Sequence, residues 1–141
     1  MNEIHKIGAV VCAKDPTGEW RVLLRKNSPF NGSPEEWNVI YGHIEEGEGG
    51  TECAIREIRE ETGLAVAWAN AANKSVSKQF PDGKKIVIDY YWTKFMKLPN
   101  EVYINEESIG YQWAMYDEVE AVVVDTEQRE LIQYCVKKAA E

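Results

Sequence analysis

A chain of 141 residues, 44% hydrophobic and 28% charged, can bury one core without staples, and its ordinary composition excludes disordered and collagen-like classes. Its net charge of −8 argues against a nucleic-acid partner, which needs a basic stripe, but leaves room for a small anion bridged to carboxylates by divalent cations. Cys12, Cys53 and Cys135 are odd in number and widely separated, with neither metal-ligand spacing nor a disulfide framework.

Met1 to Val11 lacks the basic start and long apolar centre of a signal peptide, and no apolar run is long enough to span a membrane. One cytoplasmic domain over residues 1–141, without a membrane partner, is therefore expected. Ile7 to Ala13 reads as a buried strand and Trp20 to Arg25 as a second. The turn residues Asp15-Pro16-Thr17-Gly18 between them make a hairpin. Asn27 to Glu36, with Pro29, Gly32 and Pro34, reads as a loop, and Trp37 to Tyr41 as a short strand.

Thr51 to Thr62 is the clearest helix, with Gly63 placed for a left-handed cap. Gly49-Gly50 stands where this helix should begin and weakens its first turn. Ala67 to Phe80 and Lys84 to Phe95 flank Pro81-Asp82-Gly83 and form a long antiparallel pair; Tyr111 to Tyr116 is a further strand. Leu131, Ile132, Cys135, Val136 and Ala139 repeat at helical spacing, so a C-terminal helix starts near Asp125 or Thr126. Strands flanked by two helices predict an α/β fold, a mixed central sheet sandwiched between helices.

At 100° per residue, Glu57, Glu60 and Glu61 fall within about 100° of arc on one face of the first helix. Ala54, Ile55, Ile58 and Thr62 form the adjacent, sheet-packing face, and Arg56 and Arg59 take the remaining side. Three carboxylates so close repel one another, and a hard dication such as magnesium or manganese relieves that repulsion. The same spacing also suits a solvated helix surface, on which Arg56 would simply pair with Glu60.

Gly42, five residues, Glu48, seven residues, then Arg56-Glu57-Ile58-Arg59-Glu60-Glu61-Thr62-Gly63-Leu64 resembles the Nudix box, residues 42–64, at every defined position. The resemblance implies a magnesium-dependent (manganese is possible) pyrophosphohydrolase with a Nudix-type α/β/α sandwich. Glu57, Glu60 and Glu61 would hold the metal with the main-chain carbonyl of Tyr41, and Glu48 would pair with Arg56 to brace loop against helix. Ile40-Tyr41 stands where most members carry proline followed by glycine or lysine.

Outside the box, Gly42-His43-Ile44-Glu45 and the run Asn105 to Trp113 are similar to the dinucleoside (diadenosine) tetraphosphate hydrolases. This likeness implies Glu107, or its neighbour Glu106, as the loop acid that binds metal or acts as base. His43, Lys84 and Tyr111 become candidate substrate contacts, Tyr111 by stacking on the base. Arg25, ending the second strand, either reaches phosphate or is an ordinary exposed arginine. The expected partner is a small nucleotide, and the protein a monomer or homodimer. Dihydroneopterin triphosphate and nucleoside triphosphates are alternative substrates. A catalytically silent ligand sensor is the alternative of another class, against which the intact Glu57, Glu60 and Glu61 set argues.

Overall fold

The run of apolar residues from Ile7 to Ala13 has one physical solution, a strand covered on both faces. In the computed structural model, which describes residues 3–29 and 35–141, it lies inside β1 (Glu3–Lys14) with every residue of the run buried. The expected hairpin follows: Asp15 accepts from the Thr17 and Glu19 amides and the Thr17 hydroxyl, and β2 (Trp20–Asn27) returns with Lys14 opposite Trp20. Residues 30–34, including the expected loop residues Gly32 and Pro34, lie outside the described residues.

The single strand expected over Trp37 to Tyr41 is two. β3 (Trp37–Asn38) pairs with β2, whereas β4 (Ile40–His43) pairs with β1, from Lys6 opposite His43 to Ala9 opposite Ile40. The break has a local cause. Asn38 Oδ1 accepts from the Val39 amide, a side-chain bond that competes with continued pairing.

Next come α1 (Gly50–Thr62), β5 (Asn70–Gln79), β6 (Lys85–Phe95), β7 (Ser108–Met115), α2 (Tyr116–Val122) and α3 (Thr126–Ala140). Gly63 closes α1 in the left-handed region at φ 73°, its amide bonding to Arg59 O, and the Asp125 side chain caps α3 by accepting from Gln128 N. β5 starts at Asn70, three residues later than expected, and its pairing with β6 is interrupted between Ala71 and Ser75, where Asn73 adopts φ 57°. Tyr116, expected in a strand, opens α2 instead. Glu118 accepts from the Met115 amide at 2.7 Å and so nucleates this short helix, making three helices among the described residues.

The sheet is mixed. β1 runs parallel to β6 from Glu3 opposite Lys85 to Ala13 opposite Phe95, and its other edge is shared end to end by β4 and β2. β2 in turn carries β7, and β6 carries β5. The period-two alternation of β1 sorts its side chains. Val10 and Cys12 join Val22, Leu24, Tyr90 and the α3 residues Leu131, Ile132, Cys135, Val136 and Ala139. Ile7, Ala9 and Val11 join Leu23, Ile40 and the α1 residues Cys53, Ala54 and Ile58. The expected sandwich is present, with α1 on one face of the sheet and α3 on the other.

Candidate active site

Glu57, Glu60 and Glu61 lie on the half of α1 that leads to Gly63, and they differ sharply in burial. Glu60 is exposed, Glu57 is mostly covered, and Glu61 is 1% exposed. Both Glu61 carboxylate oxygens are buried without a hydrogen-bond donor. Burial, then the facing charges of Glu57 and Glu107, push the Glu61 carboxyl up to about 8, against the opposing pull of Arg25. Burial also raises Glu57. Two carboxylates accept but cannot donate, so neither Glu57 nor Glu61 supplies the other's missing hydrogen bond while both are ionised.

Arg25 is the residue that reasoning from sequence undervalued. Rather than an exposed strand-end arginine, it is 9% exposed, with Nε 3.5 Å from Glu61 Oε1 and Nη1 bonded to Asn27 Oδ1. Its side chain shares the α1 face of β2 with Leu23, two residues earlier. Tyr111 lies directly opposite Arg25 in the β2–β7 register and shares a face with Trp113, which packs in the α1-side core. Tyr111 remains 41% exposed, so its ring is open to solvent on the side where the acids stand.

Arg56 departs from the face expected for it. The long side chain sweeps across α1: Nε and Nη2 grip Glu48 at 2.7 and 3.0 Å, and Nη1 donates to Glu57 Oε1 at 2.9 Å and Glu60 Oε2 at 3.1 Å. Its Nη2 also donates to His43 O at 3.1 Å. Glu48 is the expected partner. The guanidinium beside it holds the Glu48 carboxyl near 2, with the Glu45 amide adding a further bond. This fork ties the loop after β4 to the helix, as a bidentate arginine pair does.

Two glycines explain how the loop and helix fit. A Cβ on Gly42 would stand 2.2 Å from Glu57 Cγ, so the bare backbone of β4 is the floor on which Glu57 lies. A Cβ on Gly50 would meet Tyr91 Oη at 1.8 Å. Glycine at the start of α1, costly in propensity, is thus required by the phenol that packs there, and the Glu52 carboxylate supports the same turn by accepting from Gly49 N.

Other candidates are placed less centrally. Glu107 lies in the loop before β7, its carbonyl accepting from Ser28 N and its amide donating to Asn105 Oδ1, while Asn105 Nδ2 reaches Glu60 O. Its charge bears on Glu61. His43 is exposed, on the face of β4 opposite Gly42, and burial and Lys6 lower its pKa. Lys84 is in the β5–β6 turn, where its amide bonds to Asp82 and its ammonium lies 4.0 Å from Asp82 Oδ2 rather than turning to α1. The Tyr41 ring points into the α3-side core, whereas the atom that the metal reading requires is its main-chain carbonyl.

A divalent cation fits the chemistry of these donors: hard carboxylates, one of them buried with two unpartnered oxygens. As the side chains stand, no three acidic, histidine or cysteine groups among the described residues form a finished cage. The Arg56 guanidinium bonds to Glu57 and Glu60 and would have to yield them to a cation.

Solved structures share this architecture. The chain aligns with a C. elegans Ap4A hydrolase in a binary complex at TM-score 0.80 and 21% identity, covering 97% of this chain and 98% of that one. It aligns with the E. coli dihydroneopterin triphosphate pyrophosphohydrolase at TM-score 0.78 and 19% identity, covering 98% and 99%. Among curated proteins, the RNA pyrophosphohydrolase of Rhizobium meliloti (strain 1021) is 50% identical over 38 residues, 27% of this chain and only 23% of that protein's length. The NUDIX domain model matches residues 4–135. That match spans the sheet, α1 with its acids and most of α3, and with it the chain belongs to the NUDIX domain family.

Proposed function

We propose that the protein is a divalent-metal-dependent hydrolase of phosphoanhydride bonds, acting on a nucleoside diphosphate derivative, with dinucleoside polyphosphates such as diadenosine tetraphosphate as its substrate class. The observation that carries this reading is Glu61, a carboxylate buried without a donor beside Glu57 on the Nudix helix. Burying such a group without a hydrogen-bond donor costs stability, and a bound cation would offset that cost.

Glu57, Glu60 and Glu61, with the Tyr41 carbonyl, would hold magnesium or manganese. When bound, the ion lowers the pKa of a coordinated water and neutralises charge on diphosphate oxygens. Glu48 and Arg56 fix the loop against α1, so that the acids keep their mutual spacing. Glu107, on the loop that faces Glu61, takes the proton of the attacking water. Arg25 donates to phosphate oxygens from the same strand face, and Tyr111 opposite it stacks on a base. His43 and Lys84, both exposed, contact phosphate only if the substrate extends beyond the acids.

Glu107→Gln is expected to slow hydrolysis about 100-fold, in the range of a lost general base, while Glu106→Gln stays near wild type. The reverse ranking in a steady-state assay would move the base by one residue. Substrate class is tested by incubating the protein with diadenosine polyphosphates, nucleotide sugars, nucleoside triphosphates and dihydroneopterin triphosphate, and separating the products by chromatography. EDTA should abolish every activity found. Turnover that survives chelation removes the metal reading, and ligand binding without turnover on any member of the panel identifies a sensor instead.

A further inference from the structure

The residue before the box glycine is Tyr41, and its side chain is bonded on the face of the sheet opposite α1. The Tyr41 hydroxyl donates to Asn38 Oδ1 at 2.8 Å and lies 2.9 Å from the Tyr90 hydroxyl, and the two rings meet edge to face at 6.2 Å. Asn38 Nδ2 in turn donates to Gln128 Oε1 at 2.7 Å, which joins the cluster to the first turn of α3 beside its cap Asp125. Space for the arrangement comes from β1. Gly8, opposite Tyr41 in the β1–β4 register, has no Cβ, and one built there would stand 2.8 Å from the Tyr90 ring.

We infer that Tyr90 and Asn38 are positioning residues for the metal site, clamping Tyr41 from the α3 side so that the Tyr41–Gly42 backbone stays fixed beneath Glu57. The inference rests on the metal-dependent reading above. Its logic is that of the sheet itself. Alternation sends the Tyr41 side chain to one face and leaves Gly42 on the other, in contact with Glu57, so a bond made at the phenol restrains the floor of the acids. Proline restricts its own backbone; tyrosine does not, and here two hydrogen bonds and a ring contact supply the restraint. Neither Tyr90 nor Asn38 need touch substrate or metal for this.

The test is manganese binding by the full chain, followed by electron paramagnetic resonance of free Mn2+, alongside thermal melts. Tyr90→Phe and Tyr41→Phe keep both rings and remove only hydroxyls. Each should weaken Mn2+ affinity about tenfold, the lower end for residues that orient metal ligands. The double variant should be no weaker than the worse single one, because the two hydroxyls act as one unit. Val136→Ala, in the α3-side core but without a hydrogen bond to the clamp, should lower the Tm and leave Mn2+ affinity unchanged. Asn38→Ser serves in the same way if either tyrosine variant does not fold.

Wild-type affinity in both tyrosine variants overturns the inference while leaving the metal site intact. Equal weakening in Val136→Ala also overturns it, by showing that any loss of stability has the same effect. A wild-type protein that binds no Mn2+ overturns the underlying metal reading instead, a result that the variants cannot mimic.

Discussion

Glu61→Gln should reduce turnover about 10^3-fold, the scale of losing one anionic group that holds a catalytic cation, while the folded protein becomes no less stable and at neutral pH more so. The second half of this expectation follows from burial. Glu61 has two buried oxygens without donors, and desolvation raises its carboxyl to about 8. A carboxyl whose folded pKa is raised takes up a proton on folding, between its unfolded value near 4.3 and the folded one. The sign is opposite to that of an ion-paired acid. Wild type should therefore lose stability relative to Glu61→Gln as pH rises from about 4.3 to about 8 in EDTA, and the gap should close at acid pH.

Denaturant melts of both proteins at several pH values check this. A variant that loses stability and keeps its turnover would make Glu61 a structural partner of Arg25, not a ligand. Glu60→Gln should reduce turnover as strongly but leave stability almost unchanged, because its exposed pair with Arg56 contributes only about 0.3–0.5 kcal/mol.

Gly42→Ala is expected to cut turnover about 100-fold, as an ångström-scale misplacement of a reacting group does, for a stability loss of only about 1 kcal/mol. The new methyl would meet Glu57 Cγ at 2.2 Å and Cδ at 2.4 Å. Glu57 is a flexible side chain, so it moves away instead of unfolding β4, and the fold survives while the acid set opens. The backbone of Gly42 is not among the positive-φ glycines, so the requirement is for space and not for conformation. Retained turnover in Gly42→Ala would show that Glu57 acts from another position or not at all.

Much of this site was legible because it is written in local spacing. Helical periodicity alone placed Glu57, Glu60 and Glu61 on one face, and Gly63 and Asp125 gave the ends of α1 and α3 through ordinary cap chemistry. What escaped depends on contacts distant in sequence. Arg25 is buried because β2 carries it under α1 beside Glu61, and nothing within a few residues of Arg25 announces that. Arg56 pairs with Glu48 as the box resemblance implied, and its long side chain also crosses the helix surface to Glu57 and Glu60. The Asn38 side chain that breaks the strand locally also reaches Gln128 of α3, ninety positions away, which no local pattern announces. Gly50 looked like a weak helix start until Tyr91, forty-one positions away in sequence, supplied its reason.

The pairing of β1 with β6 sets the order in which such a site can be assembled. Each of its rungs joins residues about eighty positions apart, a parallel contact with a high loop-closure entropy, and contacts of that kind govern folding rate. β4, Gly42 and the whole acid helix lie inside the loop so closed. During synthesis the carboxylates of α1 would therefore exist before the sheet that gathers them, and only when Phe95 has emerged can the central strand be enclosed on both edges. Nascent chains shorter than that carry the complete Nudix box but not the platform that gives its acids their geometry.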